Sequence, residues 1–328
     1  MIIAKTPLRI TLGGGGTDLK AWYKKNGGFL FALTINKFIY TTISKRFNDN
    51  DIWLSYSKNE VTKNIKDIKN EYIKACLKKF PQARGIEIHS ISDVPGKSGL
   101  GSSGSFLVGL NNCLGNFYKL NYSKKDLAEI STKIESEELK KNSGLQDHYM
   151  ASFGGIKKLI ISKNGNTKVS NINITDDRLN FIQNNIFLYF SNQYRNASKI
   201  LKNQQRNIST KKDVEKYMHK IQEIGFSSYE CLIKGDLEKY SYYLNRHYDL
   251  KKNTSKYMSN NKLNDFYSYA LENGATGGKN IGAGGGGVFL FYVPKKNQLR
   301  FKEKMSKINT PELKWKYQKN GSEIIKIK

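Results

Sequence analysis

Apolar and polar positions alternate from Ile2 to Leu12, a period of two that predicts a β-strand at the start of the chain, closed by Gly13-Gly14-Gly15-Gly16. Further β-rich stretches run over Phe29 to Ile43 and Ile52 to Tyr56. From Asn70 to Phe80 the pattern turns helical, with Ile73 and Leu77 four apart. Alternation resumes over Gly85 to Ile91 and predicts another strand. After a loop from Ser92 to Gly101, Phe106, Leu107, Leu110 and Leu114 recur at helical spacing and predict a helix from Ser102 to Tyr118.

Ser123 and Asp126 form a capping box ahead of a helix through Leu127, Ile130 and Ile134. Gly144 and Gly154-Gly155 bracket a short segment, and Ile156 to Ile161 reads as a strand. Residues 164–177 are polar and weakly periodic, which places a boundary there. Long helices follow over Ala197 to Gln205, Val214 to Ile233 and Leu237 to Leu250. Then come a glycine tract at Gly282 to Gly287, a strand over Val288 to Val293 and a helix after Lys295. Helices and strands alternate without a βαβ rhythm, so an α+β fold is expected. At ~100–200 residues per domain the chain makes about two, divided as 1–175 and 176–328.

Composition narrows the classes. The 38% hydrophobic and 12% aromatic content argues against disorder. Lys and Arg number 55 against 28 Asp and Glu, a net charge of +27 that suits nucleic acid, an acidic membrane surface or phosphorylated small molecules. The lysines are scattered, as on an ordinary solvated surface. A nucleic-acid-binding protein is the rival of another class, but no RNP, KH or helix-turn-helix signature supports it. Cys76, Cys113 and Cys231 lack metal or disulfide spacing, and the four histidines do not cluster. There is no signal-like start and no run near ~18 apolar residues, so a cytoplasmic setting without a membrane is expected.

The glycines fall in three clusters. The central one, Asp93-Val94-Pro95-Gly96-Lys97-Ser98-Gly99-Leu100-Gly101-Ser102-Ser103-Gly104-Ser105, leaves a strand and opens a helix. Converging backbone amides and a helix N-terminus there favour an anion. A Walker A loop fails because its first glycine position is Ile91. Gly99, Gly101 and Gly104 match the dinucleotide fingerprint formally, yet no suitable acidic residue follows. A plain helix cap with packing glycines is the alternative.

Three ordered clusters together resemble the GHMP kinases. Lys5-Thr6-Pro7-Leu8-Arg9-Ile10 with Gly14-Gly15-Gly16-Thr17-Asp18 is similar to their first motif. Pro95 through Ser103 is similar to their phosphate loop. Gly274-Ala275, Lys279 and Gly282-Ala283-Gly284-Gly285-Gly286-Gly287 are similar to the third. Gly144-Leu145-Gln146-Asp147, Phe153-Gly154-Gly155, Tyr194-Arg195-Asn196-Ala197-Ser198-Lys199-Ile200-Leu201 and Gly277-Gly278-Lys279 resemble the sugar-1-kinase branch, the heptose 7-phosphate kinases in particular, with fucokinase-type domains nearby.

The resemblance implies two α+β units, ribosomal-protein-S5-domain-2-like then ferredoxin-like, with the site between them. It implies ATP, Mg²⁺ and a sugar phosphate as small-molecule partners, without nucleic acid; a homodimer is left open. The acceptor would be the anomeric hydroxyl of a heptose 7-phosphate, in a nucleotide-activated heptose pathway for surface polysaccharide. Asp147 would be the base and Arg9 would hold it as a carboxylate. Pro95, Gly96, Lys97, Ser98, Gly99, Gly101, Ser102, Ser103 and Gly104 would cradle ATP. Gly15, Thr17, Asp18, Arg195, Lys279, Gly284 and Gly285 would meet the substrate, the last two through close backbone approach.

Ser103, with Ser102 as alternate, and a glutamate would hold Mg²⁺. On a wheel of ~100° per residue Glu135 and Glu138 both border the apolar arc and the wheel favours Glu138. The resemblance favours Glu135, twelve residues before Asp147. Arg195 and Lys199 are expected four apart on one side of a helix, a solvated face unless the substrate is phosphorylated. His148 departs from the family pattern, where Gln often follows the aspartate.

Overall fold

In the computed structural model, residues 1–47 and 49–326 are described. The alternation read at the start of the chain becomes strand β1 (Ile2–Gly13), followed by α1 (Lys20–Asn26) and the long β2 (Gly28–Lys45). Then come β3 (Ile52–Ser55), β4 (Asn59–Thr62), α2 (Glu71–Leu77) and β5 (Ile86–Ser92). Helices α3 (Ser102–Phe117), α4 (Lys124–Lys133) and α5 (Gln146–Phe153) precede β6 (Ile156–Ile161) and β7 (Thr167–Asn171). The remainder is α6 (Asp176–Asn185), β8 (Ile186–Phe190), α7 (Ala197–Thr210), α8 (Lys212–Lys234), α9 (Leu237–Lys252), α10 (Asn261–Glu272), β9 (Gly277–Asn280), β10 (Val288–Tyr292), α11 (Gln298–Ser306) and β11 (Glu323–Lys326).

Two sheets result. The larger has the order β11-β1-β2-β5-β3-β4, with β6 also on β2 and β7 on β6. Only β3 and β5 run parallel in it. The smaller is antiparallel, β8-β10-β9. The strand over 167–171 lies inside the stretch whose polar sequence suggested a loop. It is an outer strand with no fully buried position, so no apolar alternation marks it. Residues 323–326 return to the large sheet and pair with β1 from Ile2 to Lys5.

One core joins the sheets. Leu8, Ile10 and Leu12 of β1 and Phe29, Phe31 and Leu33 of β2 pack with Leu188, Leu290, Tyr240 and Leu244 from the second half. Tyr240 Oη donates to Leu12 O at 3.1 Å across that junction. The other face of β1 carries Arg9 and Thr11, two apart and therefore on one side. Both are buried under α3 and α5.

Gly154 ends α5 at φ 67°, and a Cβ there would stand 2.1 Å from Gly321 N. The segment leading to β11 is thus laid backbone-to-backbone on that turn. Gly154→Ala is expected to lower stability by roughly 2–4 kcal/mol through the clash and the left-handed strain. Chemical denaturation checks this; a change below ~0.5 kcal/mol would show that the tail shifts freely.

Candidate active site

A cavity of about 370 Å³ lies between the two halves. Its lining includes Arg9 from β1, Asp18 and Leu19 after it, Lys97, Gly99 and Gly101 to Ser103, Glu135, Lys141 to Gly144, Gln146 and Asp147, Arg195 to Ser198, Lys251, Gly282 and Ala283.

Arg9 is the junction. Its Nε and Nη2 donate to Asp147 Oδ1 at 2.9 and 2.6 Å, and its Nη1 donates to Gly99 O at 2.7 Å. Its backbone N–H donates to Leu100 O. One strand residue therefore fixes both the loop and the aspartate. Both Arg9 bonds take Oδ1, and no hydrogen bond among the described residues uses Asp147 Oδ2. Thr11, on the same strand face, donates to Gln146 Oε1 at 2.5 Å and seats the residue before Asp147. Asp147 lies in the first turn of α5, where the helix dipole favours a carboxylate.

The loop delivers an uncapped helix start. Gly101 is the N-cap of α3 at φ 83° and offers no side-chain cap. The first amides of this 16-residue helix face the cavity wall at Ser102 and Ser103, an arrangement that suits an anion. Lys97 is exposed and also lines the cavity. Pro95 and Gly96 are exposed but stand off the lining, and Ser98 is buried behind the loop. Gly104 does not face the cavity either. A Cβ there would come within 2.6 Å of Asp147 Cβ, so its smallness lets α3 and α5 meet.

Backbone geometry turns Glu135 and Glu138 in different directions. Residues Ile134–Glu138 form a π-helical turn, closed by Leu139 N–H donating to Ile134 O at 2.9 Å. That turn breaks the 100° stepping on which a helical wheel relies. Glu135 points inward at 2% exposure, while Glu138 pairs with Lys79 at 3.7 Å outside the cavity.

Burial pushes the Glu135 carboxyl up. The adjacent His148 ring and the hydroxyls of Ser143 and Ser103 outweigh that and hold it at about 2. His148 is wholly buried, with Nε2 3.1 Å from Oε2 but out of hydrogen-bonding alignment. Glu135 Oε2 and Ser102 Oγ are both buried without a hydrogen-bond partner. An ionised carboxylate oxygen and serine hydroxyls are the hard donors Mg²⁺ takes, so this set fits that ion.

Asp18 is buried and accepts from the amides of Gly16 and Gln146, both at 3.2 Å. Burial, then the nearby Asp147, raises its carboxyl above the ordinary range. Thr17 is turned away. Its hydroxyl lies within donating distance of Gly14 O and Phe29 O, accepts from Phe29 N–H and shapes the turn, and Gly15 likewise is off the lining.

The expected pairing of Arg195 and Lys199 on one helix face is corrected. Helix α7 starts at Ala197, capped by Asn196, so Arg195 precedes it. Arg195 is 6% exposed, with Nη1 donating to Ile281 O at 3.1 Å and Gly284 O at 2.6 Å. Lys199 is exposed over the Tyr257 ring. Lys279 is buried, its Nζ donating to Leu12 O at 2.9 Å, and it does not reach the cavity.

Gly284 and Gly285 also stand off it. Cβ atoms there would meet Met258 Sδ at 2.4 Å and Tyr257 O at 2.5 Å. The third glycine cluster therefore serves packing of backbone on backbone, including Val288 N–H to Ser98 O at 2.8 Å. Lys251, Tyr72 and Lys141 line the cavity without having been singled out from the sequence, and Gln146, there only part of a motif, lines it too. Lys251 stands in the last turn of α9, where a helical lysine ordinarily faces water, so nothing local marks it.

Comparison with known proteins agrees with this architecture. The description of the GHMP kinases N terminal domain matches residues 65–155. D-glycero-alpha-D-manno-heptose 7-phosphate kinase of Campylobacter jejuni is 31% identical over 306 residues, 89% of each chain. Galactokinase of Pyrococcus furiosus is 25% identical over 330 residues, covering 90% of this chain and 89% of its own. A crystal structure of a D-glycero-D-manno-heptose 1-phosphate kinase from Bacteroides thetaiotaomicron shares the fold at TM-score 0.83, with 21% identity over 100% of both chains. The chain belongs to the GHMP kinase family. It is a sugar kinase of that family, and its α+β fold is the family's.

Among the described residues no helix is long and apolar enough to cross a membrane.

Because Gly104 sets the approach of α3 to Asp147, Gly104→Ala is expected to displace the aspartate from Arg9 and cut turnover about 100-fold. Steady-state kinetics beside a melting curve checks this. Turnover within twofold of the parent would show that the contact does not set the geometry.

Proposed function

We propose that the protein transfers the γ-phosphoryl group of ATP to the anomeric hydroxyl of D-glycero-D-manno-heptose 7-phosphate, giving the 1,7-bisphosphate and ADP. The reaction would serve nucleotide-activated heptose and surface polysaccharide synthesis in the cytoplasm. The observation that carries the chemistry is the Arg9–Asp147 pair beside the uncapped start of α3. The 31% identical heptose 7-phosphate kinase, matched along 89% of its length, supports the acceptor.

In this reading the amides opening α3, with Lys97, Ser102 and Ser103, hold the ATP phosphates. Arg9 occupies Asp147 Oδ1 and leaves Oδ2 to accept the proton of the anomeric hydroxyl. The anomeric oxygen bonds to the γ-phosphorus as the bond to the β–γ bridging oxygen breaks, and ADP departs with that electron pair. Arg9 and Arg195 offset the charge on the phosphoryl group in transit. Asp18, held by two amides, accepts hydrogen bonds from sugar hydroxyls. Glu135 and Ser103, with Ser102 beside them, would hold Mg²⁺, which neutralises charge between the β- and γ-phosphates when bound.

Three measurements test this. ATP consumption with heptose 7-phosphate, the unphosphorylated heptose and L-fucose should favour the 7-phosphate; preference for fucose would overturn the acceptor and keep the chemistry. Asp147→Asn should lower turnover by about 10³-fold or more while ATP binding persists in calorimetry. Near-full turnover in that variant would remove Asp147 from the base role. Glu135→Gln should raise the Mg²⁺ concentration needed for half-maximal turnover about tenfold or more. An unchanged requirement would exclude Glu135 as a ligand.

A further inference from the structure

One hydrogen-bond donor in the cavity wall has no partner in the chain. Gln146 is a buried residue beside Asp147, and it lines the cavity. Its backbone N–H donates to Asp18 Oδ2 at 3.2 Å, and its Oε1 accepts from Thr11 Oγ1 at 2.5 Å. Its Nε2 makes no hydrogen bond among the described residues. Unlike the sealed oxygens Glu135 Oε2 and Ser102 Oγ, that nitrogen is open to the cavity.

The end of the amide that meets the cavity is chosen from behind. The Thr11 hydroxyl is buried on β1 and has Gln146 Oε1 as its one acceptor among the described residues. The reversed amide would aim an oxygen into a space already lined by the carboxyls of Asp18 and Asp147, where like partial charges repel.

Gln146 is also set apart from the loop before α3. That loop meets β1 at Arg9, through Gly99 O and Leu100 O. Thr11 lies two residues further along the strand, roughly 6–7 Å on, toward the turn that carries Asp18. Gly15 of that turn packs on Thr11, where a Cβ would stand 3.2 Å from Thr11 Cγ2. Gly144 packs on Asp18, where a Cβ would collide with Oδ2. Gln146 is therefore knit to the Asp18 turn, and it shares no hydrogen bond with residues 95–103 among the described residues.

We propose that the side-chain amide of Gln146 is the hydrogen-bond donor that orients the acceptor sugar, and that Thr11 is the positioning residue that fixes which end of the amide the sugar meets. The proposal rests on the kinase reading above. Ionised carboxylates such as Asp18 and Asp147 only accept from hydroxyls. A sugar hydroxyl that donates to one of them keeps its lone pairs, and Gln146 Nε2 supplies the N–H they take. A hydroxyl held as donor and acceptor together has a fixed direction, which brings the reacting oxygen in line beside Asp147.

Steady-state kinetics tests this with whichever of heptose 7-phosphate, the unphosphorylated heptose and L-fucose the parent phosphorylates best. Gln146→Met keeps the length of the side chain and removes the donor. Its kcat/KM for the sugar should fall about 10-fold or more, while the KM for ATP stays within about threefold. Thr11→Val should lower the same kcat/KM by about threefold or more, and Thr11→Ser should restore it to within about twofold of the parent. The double variant should be no worse than Gln146→Met alone, since the two residues act as one unit.

An unchanged kcat/KM for the sugar in Gln146→Met, or a loss carried by the KM for ATP, overturns the donor. Additive losses in the double variant, or a Thr11→Ser as poor as Thr11→Val, overturn the role of Thr11. Gln146→Glu keeps the shape and the bond from Thr11 but presents an acceptor. It should lose at least as much, and parent-like activity in it would overturn the proposal even if Gln146→Met failed to fold. A parent active on another of the three sugars, and not on heptose 7-phosphate, overturns the acceptor reading alone, and the Gln146 comparison is then made with that sugar. A parent active on none overturns both.

Discussion

Every part of the site hangs on the guanidinium of Arg9. It sits in the middle of a strand whose other face, Leu8, Ile10 and Leu12, belongs to the core shared by both sheets. A planar fork in that position can hold a carboxylate with one edge and a carbonyl with the other. It therefore ties α5 to the glycine-rich loop before α3 through one rigid group. Lysine, a single point donor, has no such geometry. The precision of the Arg9–Asp147 pair is inherited from the sheet, because β1 cannot shift without disturbing its pairing with β2 along most of its length.

The second constraint is electrostatic. Arg9, Arg195 and Lys251 are buried along one cleft with Lys279 buried off its lining, and each of the last three depresses or is depressed by another. A core would exclude such a group. A site that receives polyanions keeps it, since the ligands complete the charge balance. The +27 of the whole chain is thus a poor guide to the chemistry, while these few buried charges are a direct one.

Much of this was legible in the sequence wherever a short-range rule applied. Alternation marked β1 and β5, β-rich composition marked β2, and the Ser123–Asp126 capping box stands as expected. The strand Ile186–Phe190 escaped because it is apolar at every position and carries no period. Glu135 and Glu138 could not be separated by a wheel, since the π turn changes the angular step at the residues in question. Arg195 was read onto a helix that begins two residues later, and its burial depends on carbonyls 86 and 89 positions away. Lys251 had no local mark at all. Glycine clusters signalled close approach correctly, but their sequence could not say what approaches; for Gly284 and Gly285 it is Met258 and Tyr257.

The last described strand has an implication for synthesis. β11 forms the border of the large sheet by pairing with the opening residues Ile2 to Lys5. On the ribosome β1 emerges long before β11, its neighbour in the sheet. Until then one side of β1 is an open ladder of backbone donors and acceptors, the kind of edge that recruits stray strands. The nascent chain must keep that edge shielded until β11 has been made, which makes synthesis of β11 a step in the maturation of the sheet.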